Sequence, residues 1–270
     1  MRRRISNLLI DLGARRAFDV IDRLAYWRRL ALTARSNRAF RAAHPAFAAP
    51  PLPLLWDAQA TTDLAEYKRS GEEAGALYWG LIRPYLDLAS ARPPRVCEWG
   101  CGPGRIMRHL PSLAAGALVE FYGSDYNRAA IAWCRAHLPG VTFLENDLAP
   151  PLPVADGFFD LVFCRSVFTH LSPDMHDRWI VELRRVVRPS GVVILTTHGD
   201  AYRPRLTARE RARFDAGELV VRTLGREGRK LFAAFHPPGF VRARLLRDLS
   251  ILEHRAGEGT QDIWVTRRPA

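Results

Sequence analysis

Residues 95–104, Arg95-Val96-Cys97-Glu98-Trp99-Gly100-Cys101-Gly102-Pro103-Gly104, run from an apolar strand into a glycine-dense turn that opens a helix. Glycine is required where backbone adopts positive φ or approaches a ligand closely, and here it recurs at alternate positions directly after the strand. The third glycine separates ligand classes. A dinucleotide fingerprint counted from Gly100 needs glycine at 105, where Arg105 stands. Glu98, just before the turn, would repel a pyrophosphate and suits a cationic ligand. A turn that is merely structural is the simpler alternative, and the loop by itself leaves it open.

Outward from the loop, apolar runs alternate with helical patterns. Residues 106–113 read as helix and 118–123 as a second strand ending at Asp125. An acidic residue about 20 positions past a glycine loop, at a strand's carboxyl end, is placed to accept hydrogen bonds from both ribose hydroxyls. A helix over 128–137 and a third strand over 141–145 lead into Asn146-Asp147-Leu148. The run 158–164 is almost continuously apolar, as expected of a strand with helices on both faces. It empties into Arg165-Ser166-Val167-Phe168-Thr169-His170-Leu171. Ser172, Pro173 and Asp174 make a good helix start, with a capping hydroxyl, a first-turn proline and a carboxylate at the positive dipole end. A fifth strand over 192–197 ends at His198. Residues 200–236 are too long for a simple connection and read as a substrate lid containing a hairpin. The segment His236-Pro237-Pro238-Gly239-Phe240 opens a helix to about 247. Two antiparallel strands, 250–254 and 262–266, joined by a turn over 256–259, close the chain.

With these residues the chain resembles the class I S-adenosylmethionine-dependent methyltransferases, whose first motif is an acidic residue followed by G-x-G-x-G at this spacing. The resemblance implies an α/β fold: a Rossmann-like, seven-stranded, mostly parallel sheet with a C-terminal antiparallel strand, helices on both faces and an N-terminal helical arm. It implies S-adenosylmethionine as cofactor, with Glu98, Gly100, Cys101, Gly102, Gly104 and Arg105 as the wall around the methionine part. Asp125 would meet the ribose hydroxyls and Asp147 the adenine amino group, with Tyr126, Asn146 and Leu148 as further cofactor-binding residues. Arg165 and Ser166 would face both cofactor and acceptor. Helices before the first strand, here 63–88 with Tyr67, Gly71, Tyr78 and Trp79, commonly cover the cleft in that family. Ser190 stands where glycine is commoner in the turn before the fifth strand.

A methyl group on a sulfonium centre is already activated, so catalysis consists of placing the nucleophile in line and removing its proton if it is a hydroxyl. A histidine suits that base role, and His170, His198 and His236 are all expected at the carboxyl edge of the sheet. Each could instead be structural. The Asn/Asp-Pro-Pro-Tyr/Phe motif of many enzymes that methylate exocyclic base nitrogens is missing; Arg165-Ser166-Val167-Phe168 stands there. Together with the lid, this resembles bacterial enzymes acting on glycans and secondary metabolites, and implies O-methylation of a sugar, glycan or other small hydroxylated acceptor. Two competing functions are an RNA-directed methyltransferase and a non-catalytic module that binds an S-adenosyl ligand.

Composition bounds the rest. The 270 residues suffice for one large core, and 48% hydrophobic residues is ordinary for a globular chain. Cys97, Cys101, Cys134 and Cys164 fit neither a zinc ribbon nor a disulfide framework and read as reduced core thiols. No metal is expected: Asp174 is explained as a helix-capping carboxylate and His176 as a residue on an exposed helix face. Residues 1–49 hold eleven arginines against Asp11, Asp19 and Asp22, which is +8 of the chain's net +12. That concentration leaves the catalytic region nearly balanced and argues against a nucleic-acid partner. Ile5, Leu8, Leu9, Leu12, Val20, Leu24, Trp27 and Leu30 share one helical face in this basic arm. The simpler expectation packs that face on the chain's own domain; the alternative lays it on an anionic membrane surface or a protein partner. The chain thus divides into a basic helical arm (1–49), a linker with cleft-covering helices (50–92) and a catalytic domain (93–270) carrying the lid at 200–236. Without a secretory signal or a long apolar run, it reads as cytoplasmic, with the arm as a route to peripheral membrane contact.

Overall fold

A computed structural model describes residues 15–257 and 260–270. Strands β1 (Arg95–Trp99), β2 (Glu120–Asp125), β3 (Val141–Glu145), β4 (Phe159–Phe163) and β5 (Val187–Thr197) pair in parallel in the order β3-β2-β1-β4-β5. Strands β6 (Val220–Thr223) and β7 (Phe232–Phe235) form a separate antiparallel hairpin. Strands β8 (Ser250–Arg255) and β9 (Asp262–Arg267) complete the seven-stranded sheet, β9 lying antiparallel between β5 and β8.

The central strands are largely apolar because both faces are covered, and their two-residue period sorts side chains between two cores. Val96, Leu161, Phe163, Val192 and Ile194 pack on one face with Tyr78, Met107 and Ile131. Cys97, Trp99, Val162, Val193 and Leu195 pack on the other with Phe168, Trp179 and Leu183. All four cysteines are buried and free.

Three helices start on capping side chains, and the one expected to cover the cleft, Leu64–Ile82, packs its Tyr67 and Tyr78 into the cores and lines no part of the pocket at the sheet's carboxyl edge. Before them stand α1 (Arg15–Ala43) and α2 (Leu52–Gln59). Helix α3 (Leu64–Ile82) begins at Asp63, whose Oδ1 accepts from Ala65 N and Glu66 N at 2.9 and 3.1 Å. Asn127 caps α4 (Arg128–His137), and Ser172 with Pro173 starts α5 (Pro173–Val186).

Some elements differ from the sequence expectation. The stretch 106–113 is a 3₁₀ turn, Met107–His109, followed by one helical turn, Leu110–Leu113. Pro111 has no N–H to donate to Met107 O, so a continuous α-helix cannot cross it. Between 238 and 245 the chain makes a helical turn and then a wide π-type turn, Val241–Leu245. The lid is more than a hairpin: a 3₁₀ turn (Asp200–Arg205) and α6 (Ala208–Asp215) precede β6. Helix α6 starts on a reciprocal cap between Thr207 and Glu210, and Leu206, Phe214, Val220 and Phe235 give the lid its own small core.

The arm packs by the face opposite to the one expected. Thr33 and Thr62 hydroxyls meet at 2.9 Å, while Asn37 donates to Thr62 O (2.7 Å) and accepts from Leu64 N (3.0 Å). Asn37 thus satisfies an unpaired N–H at the start of α3, and Phe40 follows into a cluster with Leu55, Leu64 and Tyr67. This polar anchoring turns Val20, Leu24 and Trp27 outward and leaves Leu30 half-buried. The remaining members of the expected face, Ile5, Leu8, Leu9 and Leu12, lie outside the described residues, as do two positions of the turn before β9. Among the described residues no helix is long and apolar enough to cross a membrane.

Gly104 tests the loop's tolerance. Its φ is +72°, and a Cβ there would press into the Leu138 side chain. Gly104→Ala is expected to cost about 2 to 4 kcal/mol from left-handed strain and overpacking. The check is the urea midpoint at unchanged slope.

Candidate functional site

The pocket begins with the tether between the first two strand ends. Gly100 N–H and Cys101 N–H both donate to Ser124 O, at 2.7 and 3.0 Å. Gly102 N–H donates to Asp125 Oδ2 and Asn127 N–H to Asp125 Oδ1, each at 2.8 Å. Gly100, at φ +77°, lies so close to the Val167 side chain that no Cβ fits between them. The loop after β1, the end of β2 and the loop after β4 therefore close on one another at the carboxyl edge of the sheet.

Around this edge lies a pocket walled by Gly100, Gly102 and Pro103, by Asp125 to Asn127, by Asn146 to Leu148, and by Arg165, Ser166, Val167 and His170. Trp99 and Trp179 stand behind it, their rings 4.3 Å apart. Its roof comes from two distant segments: Leu54, Asp57 and Ala58 on α2, and Gly228, Arg229 and Lys230 at the tip of the β6–β7 hairpin. The tip is fastened on every side. Gly228 N donates to His170 O and Tyr126 Oη to Gly228 O, both at 2.9 Å. Arg229 pairs with Asp57 at 2.8 Å, and Lys230 pairs with Asp22 at 2.9 Å while lying over the Trp56 ring.

Four of the residues expected on the cofactor wall sit behind the loop instead. Glu98 is buried and accepts Met107 N–H at 3.0 Å, so it pins the turn that follows the glycines rather than meeting a ligand. Burial pushes its carboxyl up to about 8, against the pull of Arg105 and the Met107 N–H. Arg105 donates to Ser70 O at 2.9 Å, its guanidinium held below its ordinary value by burial and by Arg165. Cys101 packs in the core, and Gly104 lies against Leu138 and Cys134.

The remaining wall fits an adenosyl ligand. Asp125 accepts Gly102 N–H on one oxygen and Asn127 N–H on the other and lines the pocket, where its remaining acceptor capacity suits a ribose hydroxyl. Burial raises the Asp125 carboxyl, opposed by the Asn127, Gly102 and Tyr126 N–H groups. Asn146 donates through Nδ2 to Asp147 O at 2.7 Å, while its Oδ1 is buried with no partner. A buried acceptor without a donor is costly, and an exocyclic amino group would relieve it. Asn146 thus stands beside Asp147 on the pocket wall with an acceptor still unpaired among the described residues.

The three candidate histidines separate. His170 lines the pocket; its Nδ1 donates to Phe232 O at 2.7 Å, which leaves Nε2 as a lone pair with no partner among the described residues. Burial holds its imidazole below the ordinary value. His198 does not line the pocket. Its Nδ1 donates to Ala234 O, and its Nε2 accepts from Gln261, which also donates to Ser166 Oγ at 2.7 Å. Burial and the neighbouring His170 push His198 down to about 3. His236 is fully buried and its Nε2 meets His176 Nε2 at 2.8 Å. His176 gives its Nδ1–H to Ser172 O, so His236 is the donor between them. This corrects two expectations: His236 is a core residue out of reach of an acceptor, and His176 is buried rather than on an exposed face.

The roof residues Asp57, Arg229 and Lys230, and Gln261 behind Ser166, were not among the expected site residues. The tip Gly225-Arg226-Glu227-Gly228-Arg229-Lys230 carried the one visible signal, two glycines and three cations in a predicted hairpin turn.

The raised Glu98 carboxyl has a measurable consequence. The folded chain keeps a proton that the unfolded chain releases between pH 4.5 and about 8, so stability falls as pH rises through that window. The slope is at most about 1.4 kcal/mol per pH unit. Glu98→Gln keeps an acceptor for Met107 N–H and is expected to flatten that slope, as read by urea midpoints from pH 5 to pH 8.

The family model described as a methyltransferase domain matches residues 97–195. A protein of Mycolicibacterium smegmatis named as a probable S-adenosylmethionine-dependent methyltransferase is 29% identical, the match covering 62% of this chain and 65% of the relative. A trans-aconitate 2-methyltransferase of Methylobacterium nodulans is 31% identical over 48% of this chain and 46% of its own length. The chain thus spans about half to two thirds of the length of the curated relatives it matches. In fold it is similar to the crystal structure of an S-adenosylmethionine-dependent methyltransferase from Mesorhizobium loti, with TM-score 0.54 and 18% identity over 72% of this chain and 99% of that one. With the β3-β2-β1-β4-β5-β9-β8 sheet, the glycine loop and the Asp125 tether, these matches support a class I S-adenosylmethionine-dependent methyltransferase domain over residues 97–195.

Proposed function

We propose that this chain transfers a methyl group to an oxygen of a small acceptor, a sugar, glycan or other hydroxylated molecule, with His170 as general base. The observation that carries this is the His170 tautomer. Its Nδ1–H is committed to Phe232 O, so Nε2 is the ring's acceptor, in a residue that lines the pocket. Its lowered pKa keeps the imidazole neutral at pH 7, the form that can take a hydroxyl proton.

S-adenosylmethionine, when bound, supplies a methyl carbon already activated by its sulfonium centre. The chain's own residues then have three tasks. Asp125 would hold the ribose hydroxyls, and Asn146 with Asp147 the adenine amino group. The hairpin tip, fastened to His170 O, Tyr126, Asp57 and Asp22, would exclude water from the pocket. His170 Nε2 would orient the acceptor hydroxyl and remove its proton as the oxygen attacks.

A carboxylate acceptor is a second reading, favoured by Arg165, an exposed cation on the pocket wall, and by the relatives named as trans-aconitate methyltransferases. A carboxylate is already a nucleophile and needs no base. Transfer of a labelled methyl to a panel of nucleotide sugars, glycans, phenols, small carboxylic acids and RNA separates these readings. Transfer to hydroxylated small molecules is expected. Transfer to RNA alone, or cofactor binding with no turnover on any acceptor, overturns the proposal.

Two variants sharpen it. Asp125→Ala should weaken S-adenosylmethionine binding at least about tenfold by calorimetry, since a charge-assisted hydrogen-bond pair is lost. His170→Ala should lower turnover by about 10² to 10⁴ with cofactor affinity nearly unchanged. In the unaltered protein the acid limb of the pH–rate profile should fall below about pH 6.5, the ordinary histidine value. Full activity of the alanine variant on carboxylic acids, with none on alcohols, would select the second reading.

A further inference from the structure

The outward face of α1 carries large apolar side chains that no other part of the described fold covers. Val20, Leu24 and Trp27 stand one helical turn apart, opposite the face that buries Thr33 and Asn37, and Leu24 and Trp27 are 64% and 60% exposed. Ile21 and Leu32 flank them, also more than half exposed. Single exposed apolar residues are common on protein surfaces, but a row at helical spacing with a tryptophan in it is an amphipathic stripe.

The charges around this row have one sign. At 100° per residue, Arg28 and Arg35 border it on one side, Arg23 on the other, and Arg38 continues it; all four are exposed. The acids described on α1, Asp19 and Asp22, fall on the inward half, where Asp22 is held by Lys230 and by the Trp56 indole. The outward half is therefore apolar at its centre and cationic at its edges.

We propose that α1 docks this face on an anionic lipid surface, with Val20, Leu24 and Trp27 in the acyl boundary and the bordering arginines at the phosphates. Arginine stems are long enough to lie beside an apolar row and keep their charged heads at the phosphates. A second copy of the chain suits the face poorly, because a two-fold contact would bring like-charged arginine borders together. Duplex RNA would meet the arginines and leave the apolar row without a partner. Asp22, on the opposite side of the same helix, holds Lys230 in the pocket roof, so the docked face lies about one helix diameter, roughly 10 Å, from that roof.

The test is co-sedimentation of the full chain with vesicles of phosphatidylglycerol and phosphatidylcholine in equal parts, and with phosphatidylcholine alone. Binding to the mixed vesicles at least tenfold above the neutral ones, weakened by salt, is expected. Leu24→Glu with Trp27→Glu should abolish it, and Arg28→Glu with Arg35→Glu should weaken it at least tenfold, while Trp27→Phe retains it. All these positions are exposed, so melting temperature and S-adenosylmethionine affinity should stay unchanged and exclude misfolding as the cause. No binding to mixed vesicles, or binding unaffected by the paired glutamates, overturns the proposal. So does a dimer that the same glutamates dissociate, or RNA binding of equal strength lost with Arg28 and Arg35.

Discussion

The carboxylate of Asp125 is the constraint on which the site depends. It holds the backbone N–H of Gly102 on one oxygen and that of Asn127 on the other, while the preceding Ser124 carbonyl takes Gly100 and Cys101. The glycine loop is therefore hung from the end of β2. Asp125 also lines the pocket, so the group that shapes the loop is also the one that would meet the ribose. Glu98 completes this arrangement from behind by holding Met107, the first residue of the turn that follows. One acid faces the pocket and the other faces the core, although both belong to the same motif neighbourhood in the sequence.

The roof depends on a different physics. Its residues are joined by exposed or half-exposed ion pairs and a cation over an aromatic ring, each of which contributes little by itself in water. Three such contacts converge with two backbone hydrogen bonds on a tip of a few residues, and that convergence positions the segment. A roof held this way can close on a pocket without being part of the central core. It also ties the arm to the pocket, because Asp22 belongs to α1.

Most of the sheet was legible because its strands are apolar runs bounded by glycine and proline, and because both faces are buried. The strand bounds of β3 and the cap at Ser172 follow from local chemistry alone. Less legible was the stretch after the loop, where Pro111 breaks a helix that the apolar spacing favours. Of the residues expected around the cofactor, Asp125, Asn146, Asp147, Arg165 and Ser166 line the pocket, whereas Glu98, Cys101, Gly104 and Arg105 support it from behind. Motif spacing names both sets together, because it counts positions along a strand and loop and does not say which side of the backbone each side chain takes.

The sequence by itself determined the sheet, the resemblance to class I methyltransferases and most of the chain positions that line the pocket, since glycine spacing, strand-end acids and helix caps act over a few residues. Tertiary structure alone decided which histidine is available, because His170, His198 and His236 differ only in what lies against them: an open lone pair, a glutamine, and a second buried histidine. It also decided the outward face of α1. Hydrophobic periodicity points to the apolar stripe as the packed side, but Asn37 and Thr33 satisfy polar backbone groups at the start of α3. A buried unpaired backbone group costs more than an exposed leucine, so the helix turned its stripe to solvent.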